Sequence, residues 1–254
     1  MKLKIAATAA IVICGVLILS FKKNKTTATD TMFEPFAVVE LFTSQGCSSC
    51  PPADELLAKT ITGAKKSGKK IFALSFHVDY WNRLGWKDPF SSSNFSQRQK
   101  EYVAALNLDG AYTPQMIVNG SSQFVGSDNS SLAQSITKAL NTNAAVNFTT
   151  LTATYNNDKK ITLQYALEGN FAGSKINAAL ISLTETTVVK RGENGGHTLK
   201  NENVVRQWIS KDAAASGEIV FENTTGLQKE NTAIIAFVQQ QKDLKITGAA
   251  MVKN

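Results

Sequence analysis

Apolar residues are arranged along this chain in three ways, and each way predicts a different kind of element. Ile5 to Phe21 is an unbroken run of seventeen uncharged, mostly apolar residues between Lys4 and Lys22. Such a run predicts an export signal or a single membrane anchor. Shorter continuous runs, Ala37 to Phe42 and Ile71 to His77, have the length and β-branched or aromatic content of buried strands. Between them, Leu56, Leu57, Ile61 and Ala64 recur at helical spacing, as do Arg98, Gln99, Tyr102, Val103 and Leu106 within 93–108. Met116 to Val118, Phe124 to Gly126 and the helical stretch 130–140 follow. From Val146 onward the pattern alternates. Val146 to Tyr155, the turn Asn156-Asn157-Asp158 and Ile161 to Leu167 predict a hairpin, with further strands at 176–189, 217–221, 233–238 and 244–252. This half is expected to form a mainly antiparallel β-sandwich domain over 144–254, after a first domain over 36–143.

The two cysteines outside the N-terminal run fall where the first strand meets the first helix, in Thr43-Ser44-Gln45-Gly46-Cys47-Ser48-Ser49-Cys50-Pro51-Pro52. There the unpaired backbone N–H groups and the helix dipole favour an anion, so the Cys47 thiolate gains over its thiol. Cys47 is therefore expected to attack and Cys50, one turn on, to resolve. Pro51 and Pro52 suit a first turn, where a missing N–H costs little. The same spacing also serves half of a zinc site. Only Cys14 remains to complete one, and it lies inside the apolar run. A structural disulfide without exchange chemistry stays open as an alternative.

Residues 1–25 are expected to act as signal or membrane anchor and 26–35 as a tether. No small-x-small cleavage site follows the apolar run, which favours an anchor. The rest of the chain then faces an extracytoplasmic, oxidising space. Formal net charge is +7, spread over scattered lysines with acids between them. That pattern is a solvated surface, and no nucleic-acid partner is expected. Nucleotide-binding loops, zinc-protease motifs and nucleophile elbows are absent, and no cofactor is expected.

A dense aromatic and polar cluster follows the second strand: His77-Val78-Asp79-Tyr80-Trp81, then Leu84-Gly85-Trp86-Lys87-Asp88-Pro89-Phe90. Loops beyond the carboxyl ends of strands form ligand crevices in α/β sheets, so Asp79, Trp81 and Trp86 are expected to wall the cysteine site. His77 is a candidate to tune the thiolate, or to join Cys47 and Cys50 around a soft metal such as Cu(I). It is equally a candidate for a hydrogen-bonded structural role. The loop Arg191-Gly192-Glu193-Asn194-Gly195-Gly196-His197 either reaches the cysteines or merely closes a hairpin.

The order strand, Cys-x-x-Cys helix, strand, helix, Thr113-Pro114, strand, glycine, strand, helix resembles the thioredoxin-like superfamily. The resemblance implies an α/β thioredoxin-like fold in which 93–108 is a helical insertion. It also implies a cis Pro114 beside the cysteine pair and a Thr113 backbone that positions an extended substrate. Gly46 and Ser48-Ser49 depart from that superfamily's usual Trp and Gly-Pro. Glu40, one residue further from Cys47 than the family's buried acid, is the candidate proton acceptor for Cys50. The long motifs at 40–54, 77–81 and 84–90, with Arg98-Gln99, Tyr102 and Arg191-Gly192-Glu193-Asn194, resemble the bacterial secreted domain-of-unknown-function family 1223. Together these readings imply an envelope thiol–disulfide oxidoreductase acting on protein thiols and disulfides. A copper or soft-metal chaperone and a non-catalytic envelope binding module remain as alternatives.

Overall fold

A computed structural model describes residues 32–156, 159–222, 224 and 226–253. The apolar run 5–21, the tether up to residue 31 and the tip of the turn at Asn157-Asp158 lie outside the described residues. Among the described residues, no helix is long and apolar enough to cross a membrane.

β1 (Ala37–Thr43) is buried along its whole length and pairs in parallel with β2 (Ile71–His77), in register from Ala37↔Ile71 to Thr43↔His77. The helix α1 (Pro51–Ser67) joins them. α2 (Ser93–Ala105) follows the aromatic loop, and Ser92 caps it by accepting from the Asn94 amide. β3 (Gln115–Val118) runs antiparallel to β1, β4 (Ser122–Val125) pairs with β3, and α3 (Asn129–Leu140) begins at an Asp128 cap. The second half supplies β5 (Val146–Asn156), β6 (Lys160–Gly169), β7 (Ser174–Val188), β8 (Thr198–Asp212), β9 (Ser216–Phe221), β10 (Thr232–Gln240) and β11 (Ile246–Lys253).

These strands do not form a separate sandwich. One eight-stranded mixed sheet runs β11-β10-β7-β8-β2-β1-β3-β4, and β5-β6-β9 make a second, three-stranded sheet. The expected α/β thioredoxin-like fold with a helical insertion, followed by an antiparallel β-sandwich domain, is thereby overturned: the protein is mostly β, and its main sheet crosses both halves of the chain. The join is β8 against β2, in parallel at Ser75↔Val204. The alternation pattern predicts no strand at 198–212. Polar residues dominate β8, and its buried pair Val204 and Val205 is adjacent, next to a register shift in the pairing with β7 and to Asn203 at φ 50°. A strand interrupted in this way loses the period of two by which strands are read.

Residue parity in β1 and β2 decides what lies near the cysteines, because successive side chains point to opposite faces of a sheet. Val38, Phe42, Leu74 and Phe76 pack with Phe95 and Tyr102 of α2 on one face. Ala37, Val39, Leu41 and Ala73 pack with Ala53, Leu57 and Ile61 of α1 and with Leu132 of α3 on the other. Further along the sheet, the inward side chains of β6 and β9 cover Ile176, Leu180, Ile234 and Ala236 of β7 and β10.

Candidate redox site

Cys47 and Cys50 form a disulfide at the start of α1, with Cys50 as the N-cap residue and no side chain capping the helix. Both cysteines are fully buried, whereas Ser48 and Ser49 between them are exposed. The turn that presents them is tied at several points. The Cys47 amide donates to the Ser44 carbonyl at 3.1 Å, and the Gln45 amide donates to the Asp88 carboxylate at 2.8 Å. The Gln45 side chain donates to Asn201 of β8 at 3.1 Å and accepts from the Trp86 indole at 3.3 Å.

A second loop closes over this turn from 189–197, between β7 and β8. The buried Asn194 amide donates to the carbonyls of Gln45 and Cys47, each at 2.9 Å, and Glu193 accepts from the Ser48 amide at 2.9 Å. Gly192, at φ 77°, lies so close to Trp86 that an added Cβ would stand 3.2 Å from the tryptophan Cβ. A side chain there would meet both the strained backbone angle and that contact. The 191–197 loop thus reaches the cysteines, the first of the two readings open for it.

A buried ionisable cluster lies where β1, β2 and the first turn of α1 meet. Thr43, on the α1 face of β1, donates to Asp54 Oδ2 at 3.1 Å, while Oδ1 of Asp54 has no hydrogen-bond partner. Burial drives the Asp54 carboxyl up to about 7, against the opposing pull of the His77 charge and its hydrogen bonds. His77 is on the same face by parity. Its Nδ1 pairs with Asp88 at 2.7 Å and its Nε2 is buried without a partner. Burial pulls the imidazole down, but the charge and hydrogen bond of Asp88, with Asp54 behind them, outweigh it and raise its pKa. Burial raises Asp88 in turn, and His77 with the amides of Gln45 and Phe90 more than reverses this, leaving it lowered.

The other expected site residues divide. Thr113-Pro114 is a cis peptide. Pro114 abuts Gly126, as does Ala53 in the first turn of α1, and a Cβ on Gly126 would come within 2.9 Å of Pro114 and 3.1 Å of Ala53. Trp81 packs on Gly46 and donates its indole N–H to the Thr113 hydroxyl at 2.7 Å, linking the cysteine turn to the proline strand. Glu40 stands apart. As an even residue of β1 it points to the α2 face, where Arg98 grips both carboxylate oxygens at 2.6 and 2.9 Å and Tyr102 donates at 2.5 Å. Asp79 ties the aromatic loop to α2 through Ser96, at 2.5 Å. Neither Glu40 nor Asp79 has a hydrogen-bond partner on the cysteine turn among these contacts.

Asp54, Asp88 and Asn194 have no assigned part in the sequence reading, although all three stand inside its quoted motifs. An acid at the fourth residue after Cys50, on the same face of α1, is the one signal that would have singled out Asp54. Among the described residues, no group of three or more His, Cys, Asp or Glu side chains is gathered so that it could hold a metal.

Over residues 38–239 the chain matches the model of a family described as protein of unknown function (DUF1223). The chain belongs to that family. Its fold is similar to the crystal structure of a protein from Agrobacterium tumefaciens, with 27% identity, 87% of this chain and 95% of that one covered, and a TM-score of 0.66. It is similar too to HBP35 of Porphyromonas gingivalis, with 19% identity, 87% and 76% covered, and a TM-score of 0.64. No curated protein matches the chain.

Proposed function

We propose that this member of the family is an extracytoplasmic thiol–disulfide oxidoreductase whose reacting pair is Cys47 and Cys50. The observation that carries the reading is Asp54. A disulfide at a helix N-terminus has, one turn along the same helix, a buried carboxyl with a free oxygen and a pKa near neutrality. A bridge that only braces the chain has no use for such an acid, which costs stability (see Discussion), and closing so short a loop constrains the unfolded chain least.

In the reducing direction, the Cys47 thiolate attacks one sulfur of a partner disulfide. The new S–S bond joins Cys47 to the partner, and the partner's other sulfur leaves as a thiolate that takes a proton from solvent. Cys50 then gives its proton to Asp54 and attacks Cys47 Sγ. The mixed disulfide breaks, Cys47–Cys50 re-forms, the partner's second sulfur leaves as a thiolate that takes a proton from solvent, and the partner departs as a dithiol with two electrons gained. The reverse sequence oxidises a partner dithiol. Thr113 and Pro114 offer an extended partner segment its backbone register, with Trp81 fixing the Thr113 side chain. His77, paired with Asp88, steadies the ionisation of Asp54 from below.

The N-terminal run 5–21 supports envelope attachment, and a cysteine pair suits an oxidising space outside the cytoplasm, where protein thiols and disulfides are the partners. The full burial of both cysteines favours a second reading, a structural disulfide in a non-catalytic envelope module. One experiment separates the two. Cys50→Ser in the full-length chain, expressed in its native envelope, should accumulate mixed disulfides on Cys47, whereas Cys47→Ser should not. Recovery of no mixed disulfide, together with a bridge that resists millimolar glutathione, would establish the structural reading.

A further inference from the structure

The Ser48 amide is the first N–H after Cys47 and lies two residues ahead of the Cys50 cap of α1, near the positive end of the helix dipole, which favours a negative group. In the disulfide form Cys47 carries no charge. Glu193 Oε2 takes the Ser48 amide at 2.9 Å instead, and that contact lowers the pKa of its exposed carboxyl. The next residue, Asn194, is buried and fixed to the Gln45 and Cys47 carbonyls, and Gly192 on the other side rests on Trp86. Glu193 is thus held at the redox site by neighbours on both sides, while its own side chain remains exposed. Reduction of the disulfide by a partner dithiol adds two electrons, and the sulfur that becomes a thiolate is one residue from the amide Glu193 grips. Two negative groups then stand side by side.

We propose that Glu193 is a redox-linked latch: it closes on Ser48 while Cys47 and Cys50 are joined, and is repelled from it when Cys47 becomes a thiolate, with Asn194 as the fixed point of the loop. The inference rests on the exchange chemistry proposed above. Its consequences are two. The latch opposes the thiolate and so favours the disulfide, and its release frees the Ser48 amide when the reduced protein meets a partner. The charged groups on the elements around Cys47 include Glu40 of β1, Asp54 and Glu55 of α1, His77 of β2, Asp79, Arg83, Lys87 and Asp88 of the aromatic loop, and Lys190, Arg191, Glu193 and His197 of the latch loop itself. Glu193 is the one among them whose carboxylate bonds the backbone beside Cys47.

The test uses the full-length chain with Cys14→Ser and Cys50→Ser, so that Cys47 is its one thiol, reduced by a phosphine and alkylated with iodoacetamide across pH. Glu193→Gln keeps a hydrogen-bond acceptor and removes the charge. It should lower the Cys47 thiol pKa and speed alkylation below that pKa about two- to fivefold, the size of one exposed charge pair. High salt should speed the parent chain and leave Glu193→Gln unchanged. In the chain with both cysteines, the Ser48 amide resonance should move on reduction, and by less in Glu193→Gln. A role confined to loop stability would shift the denaturation midpoint and leave the alkylation profile alone. Superimposable profiles for parent, Glu193→Gln and Glu193→Ala would overturn the latch. The thiol is made chemically, so this result does not depend on exchange. A chain showing the shift but exchanging with no partner would sink the oxidoreductase reading and keep the Glu193 contact.

Discussion

Asn194 donates to the carbonyl of Cys47 at 2.9 Å from 147 residues further along the chain. A side chain of the β7–β8 loop thus completes the hydrogen bonding of a turn in the first fifth of the protein. Asn194→Ala removes this bond and the matching one to Gln45, leaving two carbonyls in a buried site. A loss of about 1–3 kcal/mol is expected, read as a lower urea midpoint. In the reduced protein, Cys47 should also alkylate faster, since the loop that covers it loses its anchor.

Asp54 is expected to lower stability as pH rises. Its folded pKa lies near 7 against an ordinary 3.8, so between those values the folded chain keeps a proton that the unfolded chain has released. Stability therefore falls as pH climbs through that window and is level above it. Asp54→Asn should be the more stable protein at pH 8, by at most about 4 kcal/mol, and equal to the parent near pH 3. The same variant should release partners slowly, with mixed disulfides on Cys47 persisting, if Asp54 takes the Cys50 proton. A variant no more stable at pH 8 than at pH 4, relative to the parent, would contradict the buried acid.

Glu40 should behave oppositely. Glu40→Gln leaves Arg98 buried among Phe76, Tyr102, Trp208 and Phe237 without its carboxylate. Breaking such a pair from one side costs about 3–5 kcal/mol. The variant should unfold earlier at every pH near neutrality while the rate of partner release stays as in the parent.

The His77–Asp88 pair has its own pH window. His77 is raised above its ordinary 6.5, so its share of stability is fully present below 6.5 and is lost as pH rises through the folded value. Asp88 is lowered, so its share is present above 3.8 and lost in stronger acid. Asp88→Asn should therefore cost most near about pH 6 and progressively less in base. Denaturant melts at several pH values measure this directly, and a cost independent of pH would show that His77 is neutral in the folded chain.

Most local elements of this protein are legible in its sequence, because burial period and turn chemistry act over a few residues. β1, β2, α1 and α3 begin or end within one or two residues of the expected bounds, and the cysteine pair at the β1–α1 junction is evident from spacing alone. What the tertiary structure decided is how those elements combine. β8 is invisible to pattern because a register shift and a left-handed Asn203 break its alternation, yet it is the strand that joins the two halves in one sheet. The buried acid one turn beyond Cys50 is likewise a matter of geometry. Counting along the chain points to Glu40, but the period of two in β1 sends Glu40 to the α2 face and Thr43 to the α1 face, where Asp54 meets it. The sequence by itself determined the position of the two cysteines that form the disulfide and the local elements that hold them. Sheet order, strand parity and the return of the 191–197 loop decided which distant side chains surround them, because contacts between residues 43 to 156 positions apart are set by packing and leave no local pattern to read.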